Sequence, residues 1–514
     1  MADIYPRFKS WLGGHAGRID PTIAPEGSWF GTNVQTYPSG LIGPRWGLKQ
    51  VQVLDPLGDP IVVPVAGGPK GFAVIGPNLF VVADTLYMGD LSTLEATGTV
   101  TCEQFDAYPG TPAGWVTLVP YDTDNVYALV DGDLYQHVLS TLTSVSVTTP
   151  STFSFIRRWG FHCVGIDSTV PYRLWFSEVS DLGFDFSTWP ALNFVDIGDA
   201  EPITAIVALY NTLFVGKRSG WWALSGVIGQ STTVRQISLG DGPVDARGVA
   251  AGVDNKVAYW PRSPHPATFN GSTTALLLDH VTVEYAPTAA QAVAAAPTGR
   301  AVIFGYDDGA ASKGLLISAL TGTSYHEFGA QLAGWAPDVI ENGYEVAAGY
   351  VLAAQQTALV GDDLVVYYWK VNPDRPALAA DTLGSRGDDS DTPLDASLST
   401  RGWIDPQGRD VRVRSVLVRF RAWDISDDVN LTTFAGFGVA VRRLAPYEEP
   451  GDTSAVQSWR AVRGELSADG GDFEVRFAVG EQGYAAGFQI AFTDMRGVAI
   501  RDVVVGIDLR GPRT

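Results

Sequence analysis

Cysteine is almost missing from this chain: two in 514 residues, Cys102 and Cys163. Each stands alone, with no CxxC pair and no histidine at ligand spacing, which excludes a disulfide framework and a zinc knuckle. Both read as buried free thiols. Long apolar runs are missing too. Nowhere do about 18 apolar residues follow one another, so no segment reads as a membrane-spanning helix. The first residues, Met-Ala-Asp-Ile-Tyr-Pro-Arg, hold no apolar signal-peptide core. The expectation is a soluble chain, made in a cytosol and inserted in no membrane. Histidine is scarce, at 15, 137, 162, 265, 280 and 326, and no two have metal-ligand spacing. No Gly-x-Ser-x-Gly elbow precedes a helix. No phosphate-cradling G-x-x-x-x-G-K-S/T occurs. The acidic turns DVIENG and YDDGAASKG do not follow the EF-hand pattern. The chain is therefore expected to carry no catalytic, cofactor or metal residues and not to be an enzyme.

Basic residues are also short, with 35 Lys and Arg against 56 Asp and Glu, a net charge of −21. The imbalance is local. From Leu398 onward there are 15 Arg, no Lys and 16 acids, while the part before it holds 20 basic and 40 acidic residues. A surface of that sign repels phosphate backbones, which excludes tight nucleic-acid binding.

What the chain has is glycine, 57 residues, proline, 31, and 46% apolar residues. Helical spacing is nearly absent. That balance favours many short strands joined by tight turns. Similar units open near Gly71, Trp115, Arg157, Ile203, Arg247, Gln291 and Tyr344. Most starts lie about 42–47 residues apart, the period of a propeller blade. In ITAIVALYNTLFVGKRSGWWALSG, apolar runs stop at Tyr210-Asn211 and at Gly216 to Gly220, a three-strand meander. Small residues in GVAAG (248–252) and AVAAA (292–296) suit the crowded inner strand of a blade. The pattern predicts a β-propeller of about seven blades, with six or eight also compatible. An open sandwich of the same strands is the other arrangement.

Four regions follow. Residues 1–70 read as an extended segment leading into the propeller, and 71–375 as the blades. Residues 376–398, rich in Asp, Ser, Gly and Pro, read as a linker, and 399–514 as a β-sandwich. There Phe473, Val475, Phe477 and Val479 alternate with charged residues. Val411 and Val413 alternate in one phase and Val416, Val418 and Phe420 in the other, so a bulge is expected near Ser415. Arg412, Arg414, Arg419 and Arg421 then form a basic face, either solvated or docked on an acidic neighbour.

A run with five carboxylates, YRLWFSEVSDLGFDFSTWPALNFVDIGD, spans Tyr172 to Asp199 and holds Glu178, Asp181, Asp185, Asp196 and Asp199. A glycosidase needs two carboxylates across the scissile bond. A sialidase Asp-box needs a Trp sooner after Gly183 than Trp189, and no other unit repeats the box. A local turn held by Asp181 is the simpler reading.

The same stretch carries a resemblance. WFS (Trp175–Ser177), Asp185 to Trp189, Asn193 to Gly198, PITAI (Pro202–Ile206), LFV (Leu213–Val215) and the ending Trp222–Gly226 resemble a signature of bacteriophage tail structural proteins. Asn33-Val34, Gly40, Arg45 and Gly47 resemble their opening, and GYAAGFQIAFTDMRGVAIRDVVVGIDL their final sandwich. The layout looks most like the nozzle, or tubular hub, of short-tailed phages. The resemblance implies a virion protein, made in the host bacterial cytoplasm and built into the tail. It implies a homo-oligomer, a hexameric ring below the portal and adaptor, with other tail proteins as neighbours. Genomic DNA would pass through that ring without specific binding, past a lumen lined by acids. Two other functions remain compatible with the residues: a minor tail or host-adhesion component of a long-tailed phage, and a carbohydrate-binding or hydrolysing propeller.

Overall fold

The computed structural model describes residues 28–277 almost throughout, leaving out 38, 48, 63–68, 93, 181–182, 210, 227, 229–231, 254–255 and 264. Outside that span it describes the strands named below and residues at their edges. The protein is all-β, a seven-bladed β-propeller joined to a β-sandwich.

Six blades of four antiparallel strands succeed one another, five as separate sheets and the first as half of an eight-stranded sheet. The first blade is Gly71–Ile75, Asn78–Val82, Leu86–Asp90 and Thr99–Gln104. The second is Thr117–Pro120, Asn125–Val130, Asp133–Val138 and Thr143–Val147. The third is Phe153–Trp159, His162–Asp167, Arg173–Phe176 and Phe194–Asp196. The fourth is Ile203–Leu209, Thr212–Lys217, Gly220–Ser225 and Thr233–Leu239. The fifth is Val249–Val253, Lys256–Tyr259, Ala267–Phe269 and Thr274–Leu276. The sixth is Ala294–Thr298, Ala301–Asp307, Ser312–Ser318 and Gly322–Glu327. The meander expected around Ile203 thus gains a fourth strand, Thr233–Leu239, whose mostly solvent-facing residues give it no apolar signature.

The seventh blade closes the ring from both ends of the repeat. Its strands are Leu332–Pro337, Tyr350–Gln355 and Val365–Lys370, and the fourth is Lys49–Leu54, with Gln52 opposite Val365. Gln52–Leu54 also runs parallel to Thr99–Thr101 of the first blade. The inner strands form an unbroken circle. Each touches the next, and Leu332–Pro337 touches Gly71–Ile75 again. That circle fixes the count at seven. The last unit, expected to open near Tyr344, opens instead at Leu332. Its inner strand, Leu-Ala-Gly-Trp-Ala-Pro, has too little apolar alternation to mark itself, and Tyr350–Gln355 is its second strand.

Stacking explains the sequence pattern. The second strand of a blade is covered on both faces by neighbouring blades. NLFVV, NVYALV, HCVGID and TLFVGK are accordingly buried along almost their whole length and do not alternate. Each joint between described blades has its own core. Val119, Tyr127, Phe153 and Trp175 join the second and third blades. Val164, Leu174, Ile206 and Leu213 join the third and fourth. Cys102 and Cys163 are buried free thiols in such joints, and burial pushes the Cys102 thiol up to about 12.

The sandwich is assembled from both chain ends. One sheet orders Arg460–Val462, Gly470–Ala478, Arg409–Ala422, Val498–Pro512, Ile42–Pro44 and Val34–Thr36, with Asp3–Ile4 and Arg7–Lys9 also on Val498–Pro512. The other contains Gly14–His15, Ser28–Thr32, Asp395–Thr400, Ala485–Thr493 and Gly438–Leu444. Residues 1–70 are therefore not simply a leader into the blades. Strands up to Pro44 belong to the sandwich, and Lys49–Leu54 belongs to the seventh blade. The propeller is an insertion between two parts of one sandwich. Its sixth blade meets it, since Gly322–Glu327 touches Ser28–Thr32 and Val34–Thr36. The register of Arg409–Ala422 shifts between Val413 and Ser415, the bulge expected there. Within the linker, Asp388–Asp389 pairs with Thr392–Pro393, and the strand Asp395–Thr400 begins before its expected end.

Candidate functional site

The run Tyr172–Asp199 forms the outer half of the third blade. Two of its strands leave the blade as a hairpin, Glu178–Ser180 against Gly183–Asp185. Asp181, expected to hold a turn here, lies outside the described residues. The other carboxylates have structural partners, Glu178 excepted. Asp185 accepts from the Ser187 amide and hydroxyl at 2.8 and 2.6 Å and from the Thr188 hydroxyl at 2.7 Å. Burial opposes its ionisation, but these donors outweigh it and hold the carboxyl low. Asp196 receives a two-pronged bond from Arg173, 2.7 and 3.0 Å, whose guanidinium also lies 3.9 Å from the Phe194 ring centre. These groups are tied to neighbours of their own blade.

Asp199 closes the joint to the fourth blade. Lys217, at the end of Thr212–Lys217, has no exposed surface. Its ammonium donates to the carbonyls of Ile197 (2.5 Å) and Asp199 (2.8 Å) and to Asp199 Oδ1 (2.9 Å). All three donor sites are used, and the Trp222 ring centre lies 5.6 Å away. The hydrogen bond from Lys217 holds the Asp199 carboxyl below its ordinary value. Gly198 between them has φ +57°, and a Cβ there would meet Trp222 at 2.4 Å. The quoted NFVDIGD is thus a blade corner wrapped round a buried lysine. The sequence pattern places Lys217 in the turn Gly216 to Gly220, with no sign of its burial. The one signal available was a lone cation directly after the apolar LFVG.

Two further buried groups went unread. Asp167 is 2% exposed and accepts from the Trp175 indole (2.8 Å), the Val170 and Thr169 amides, the Thr169 hydroxyl and the Ser151 hydroxyl. Burial alone would push its carboxyl up. The Trp175 bond and the others reverse that and hold it at about 2. His137 is fully buried between the Tyr108 hydroxyl, 3.0 Å from Nε2, and the Ser144 hydroxyl, 2.9 Å from Nδ1. Burial lowers its pKa to about 4, so the ring is neutral at neutral pH. Phe105 and Tyr108 meet it edge-on. The arrangement pins the segment between the first two blades to the outermost strand of the second.

The expected basic face of the sandwich is partly consumed inside its own sheet. Arg414 pairs with Asp508, and Arg419 with Asp502 at 3.5 Å. Asp502 and Asp508 are buried, 1% and 6% exposed. Among the described residues no group of three His, Cys, Asp or Glu side chains is placed to hold a metal. Among the described residues no helix is long and apolar enough to cross a membrane.

A cavity lies at the centre of the propeller, among its inner strands. It measures about 270 Å³ and is walled by the inner strands of the first three blades, with Trp115, Arg157 and Arg247 on its lining. The inner strands bring these residues together because each stands at or near the opening of a unit in the sequence.

No family model matches the chain, and no curated protein matches it. Among solved structures, it is similar to PorZ, a bacterial surface component of the type-IX secretion system of Porphyromonas gingivalis. The TM-score is 0.39 at 10% identity, over 62% of this chain and 40% of that one. The Dos1 propeller gives 0.37 at 12% identity, over 64% of this chain and 95% of that one. The BBS1 N-terminal domain, solved in complex with ARL6, gives 0.38 at 13% identity, over 63% and 97%. The match thus spans well under half of PorZ. None of these scores adds to what the closed circle of seven sheets establishes.

Proposed function

We propose that the chain is a structural protein of a bacteriophage tail, the nozzle or hub ring of a short-tailed phage, through which the genome leaves the particle. The observation that carries this reading is one chain folding as both propeller and sandwich, the layout its resemblance implies. The motif residues support it. Asn193, Asp196, Gly198 and Asp199 serve blade corners, and the carboxylates of Asp185, Asp196 and Asp199 are engaged by donors of their own or the next blade.

The axial cavity of the propeller is far too small for a duplex. The conduit of the proposed ring therefore runs between copies, not through any one of them. Closed cyclic symmetry with heterologous contacts builds such a lumen. Acids outnumber bases two to one before Leu398. Facing the lumen, they keep the duplex off the wall by repulsion over about one Debye length, roughly 8 Å at physiological salt. Exposed Lys or Arg would instead gain phosphate contacts and slow ejection.

The protein is made in the host bacterial cytoplasm and ends in the virion tail, against adaptor and other tail proteins. It performs no catalytic step. Native mass measurement of tails gives the direct stoichiometry: six copies are expected, and one or three would remove the hexameric ring. Cleavage of bacterial glycans by the purified protein, abolished by changing one carboxylate, would replace this reading with a hydrolytic propeller.

A further inference from the structure

The axial cavity holds a group that the tail reading does not use. Arg247 is the middle residue of the short turn Ala246–Gly248 that leads into the fifth blade. Its Nε lies 3.3 Å from Asp245 Oδ1, so one side of the guanidinium is held from within the loop. The other side, Nη1 and Nη2, has no hydrogen-bond partner among the described residues. The side chain is 33% exposed, and the guanidinium carbon sits 5.7 Å from the centre of a Trp115 ring. Trp115 is anchored against the core between the first and seventh blades. Arg157, on the same lining, reaches the Ile206 carbonyl at 3.3 Å. This part of the chain has 40 acids to 20 bases, yet none of the described acids takes the open end of the Arg247 fork.

We infer that this cavity binds a compact sugar acid, with its carboxylate on Arg247 and one ring face on Trp115. Two parallel N–H donors match the two oxygens of a carboxylate, in a geometry that a neutral hydroxyl does not reproduce. An indole is a broad apolar platform for the C–H face of a pyranose. Arg157 adds a second positive charge to the wall. A cavity of about 270 Å³ is slightly smaller than most small-molecule sites, which suits one ring and not a chain. The inference rests on the propeller alone. Its failure leaves the tail reading untouched, and failure of the tail reading leaves the site in place.

The test is titration of the full chain with sodium glucuronate, glucose and inorganic phosphate, followed by calorimetry and by tryptophan fluorescence. Glucuronate should bind saturably and at least about tenfold more tightly than glucose, the worth of one charge-assisted pair. Arg247→Gln should remove that preference. Arg247→Lys, which keeps the charge and loses the fork, should also weaken glucuronate about tenfold. Equal binding of glucose and glucuronate would overturn the inference. So would glucuronate binding that survives Arg247→Gln in a chain with unchanged circular dichroism, or binding of phosphate in preference to glucuronate. Should the variants fail to fold, the wild-type preference decides. Trp115→Phe, a milder change, then supplies the site assignment by weakening glucuronate and glucose alike.

Discussion

Lys217 and Asp199 are joined twice, once through the carboxylate at 2.9 Å and once through the Asp199 carbonyl at 2.8 Å. The two ends of the pair differ in surroundings. The ammonium has no exposed surface, and the Asp199 side chain is 68% exposed. The lysine is therefore held mainly by the two carbonyls, and the carboxylate supplies a screened charge. Lys217→Met should strand the Ile197 and Asp199 carbonyls and destabilise the propeller by about 2–3 kcal/mol. Asp199→Asn should cost much less. Chemical denaturation of both variants checks the order, and a larger loss from Asp199→Asn would contradict it.

Gly198 is the second fixed point of that corner. Its φ of +57° and the 2.4 Å approach of a Cβ to Trp222 act together. Gly198→Ala should lower stability by about 1–3 kcal/mol through overpacking and the left-handed backbone. The double variant with Trp222→Leu should recover part of the loss. A Gly198→Ala protein with unchanged melting temperature would show that the corner relaxes freely.

The propeller was legible because its period is long and regular and because the second strand of each blade is a solid apolar run. The inner strands Val249–Val253 and Ala294–Thr298 announced themselves by small residues. Two features were not legible, for physical reasons. Lys49–Leu54 completes a blade whose other strands lie some 300 residues away, and local pattern carries no trace of such a partner. Asp3–Ile4, Arg7–Lys9 and Ser28–Thr32 pair with strands more than 350 residues away, and segments so short carry no periodic signal of their own. Lys217, His137 and Asp167 gain their roles only from neighbours supplied by folding. In the carboxylate run Tyr172–Asp199, the turn residues Asp185, Asp196 and Asp199 make the local bonds of a blade corner.

His137 makes the fold acid-sensitive. Its pKa falls to about 4 in the folded chain from an ordinary 6.5. Between these values the unfolded chain binds more protons, so stability rises with pH. The contribution is complete above about pH 6.5 and is lost as pH falls towards 4, by about 3 kcal/mol in all. Denaturation midpoints measured from pH 7 to pH 4 should fall. His137→Gln, which cannot titrate, should flatten that window. A wild-type curve with no slope there would contradict the account.

Asp167 acts at lower pH with the same sign. Its carboxyl, held at about 2, contributes stability above the ordinary aspartate value near 4, and this is lost as pH falls to 2. Asp167→Asn keeps the shape and removes the titration. The variant should be less stable than wild type at pH 6, and the gap should close by pH 2. A gap independent of pH would assign the loss to packing alone.

Electron microscopy of the virions that carry this chain, with the chain located by a bound antibody fragment, tests the central claim most directly. The account predicts label at the end of a short tail, below the adaptor, with six-fold symmetry about the axis and the propellers around a lumen that no single propeller encloses. Label along a long tail, label on a fibre, or particles without the protein would contradict it.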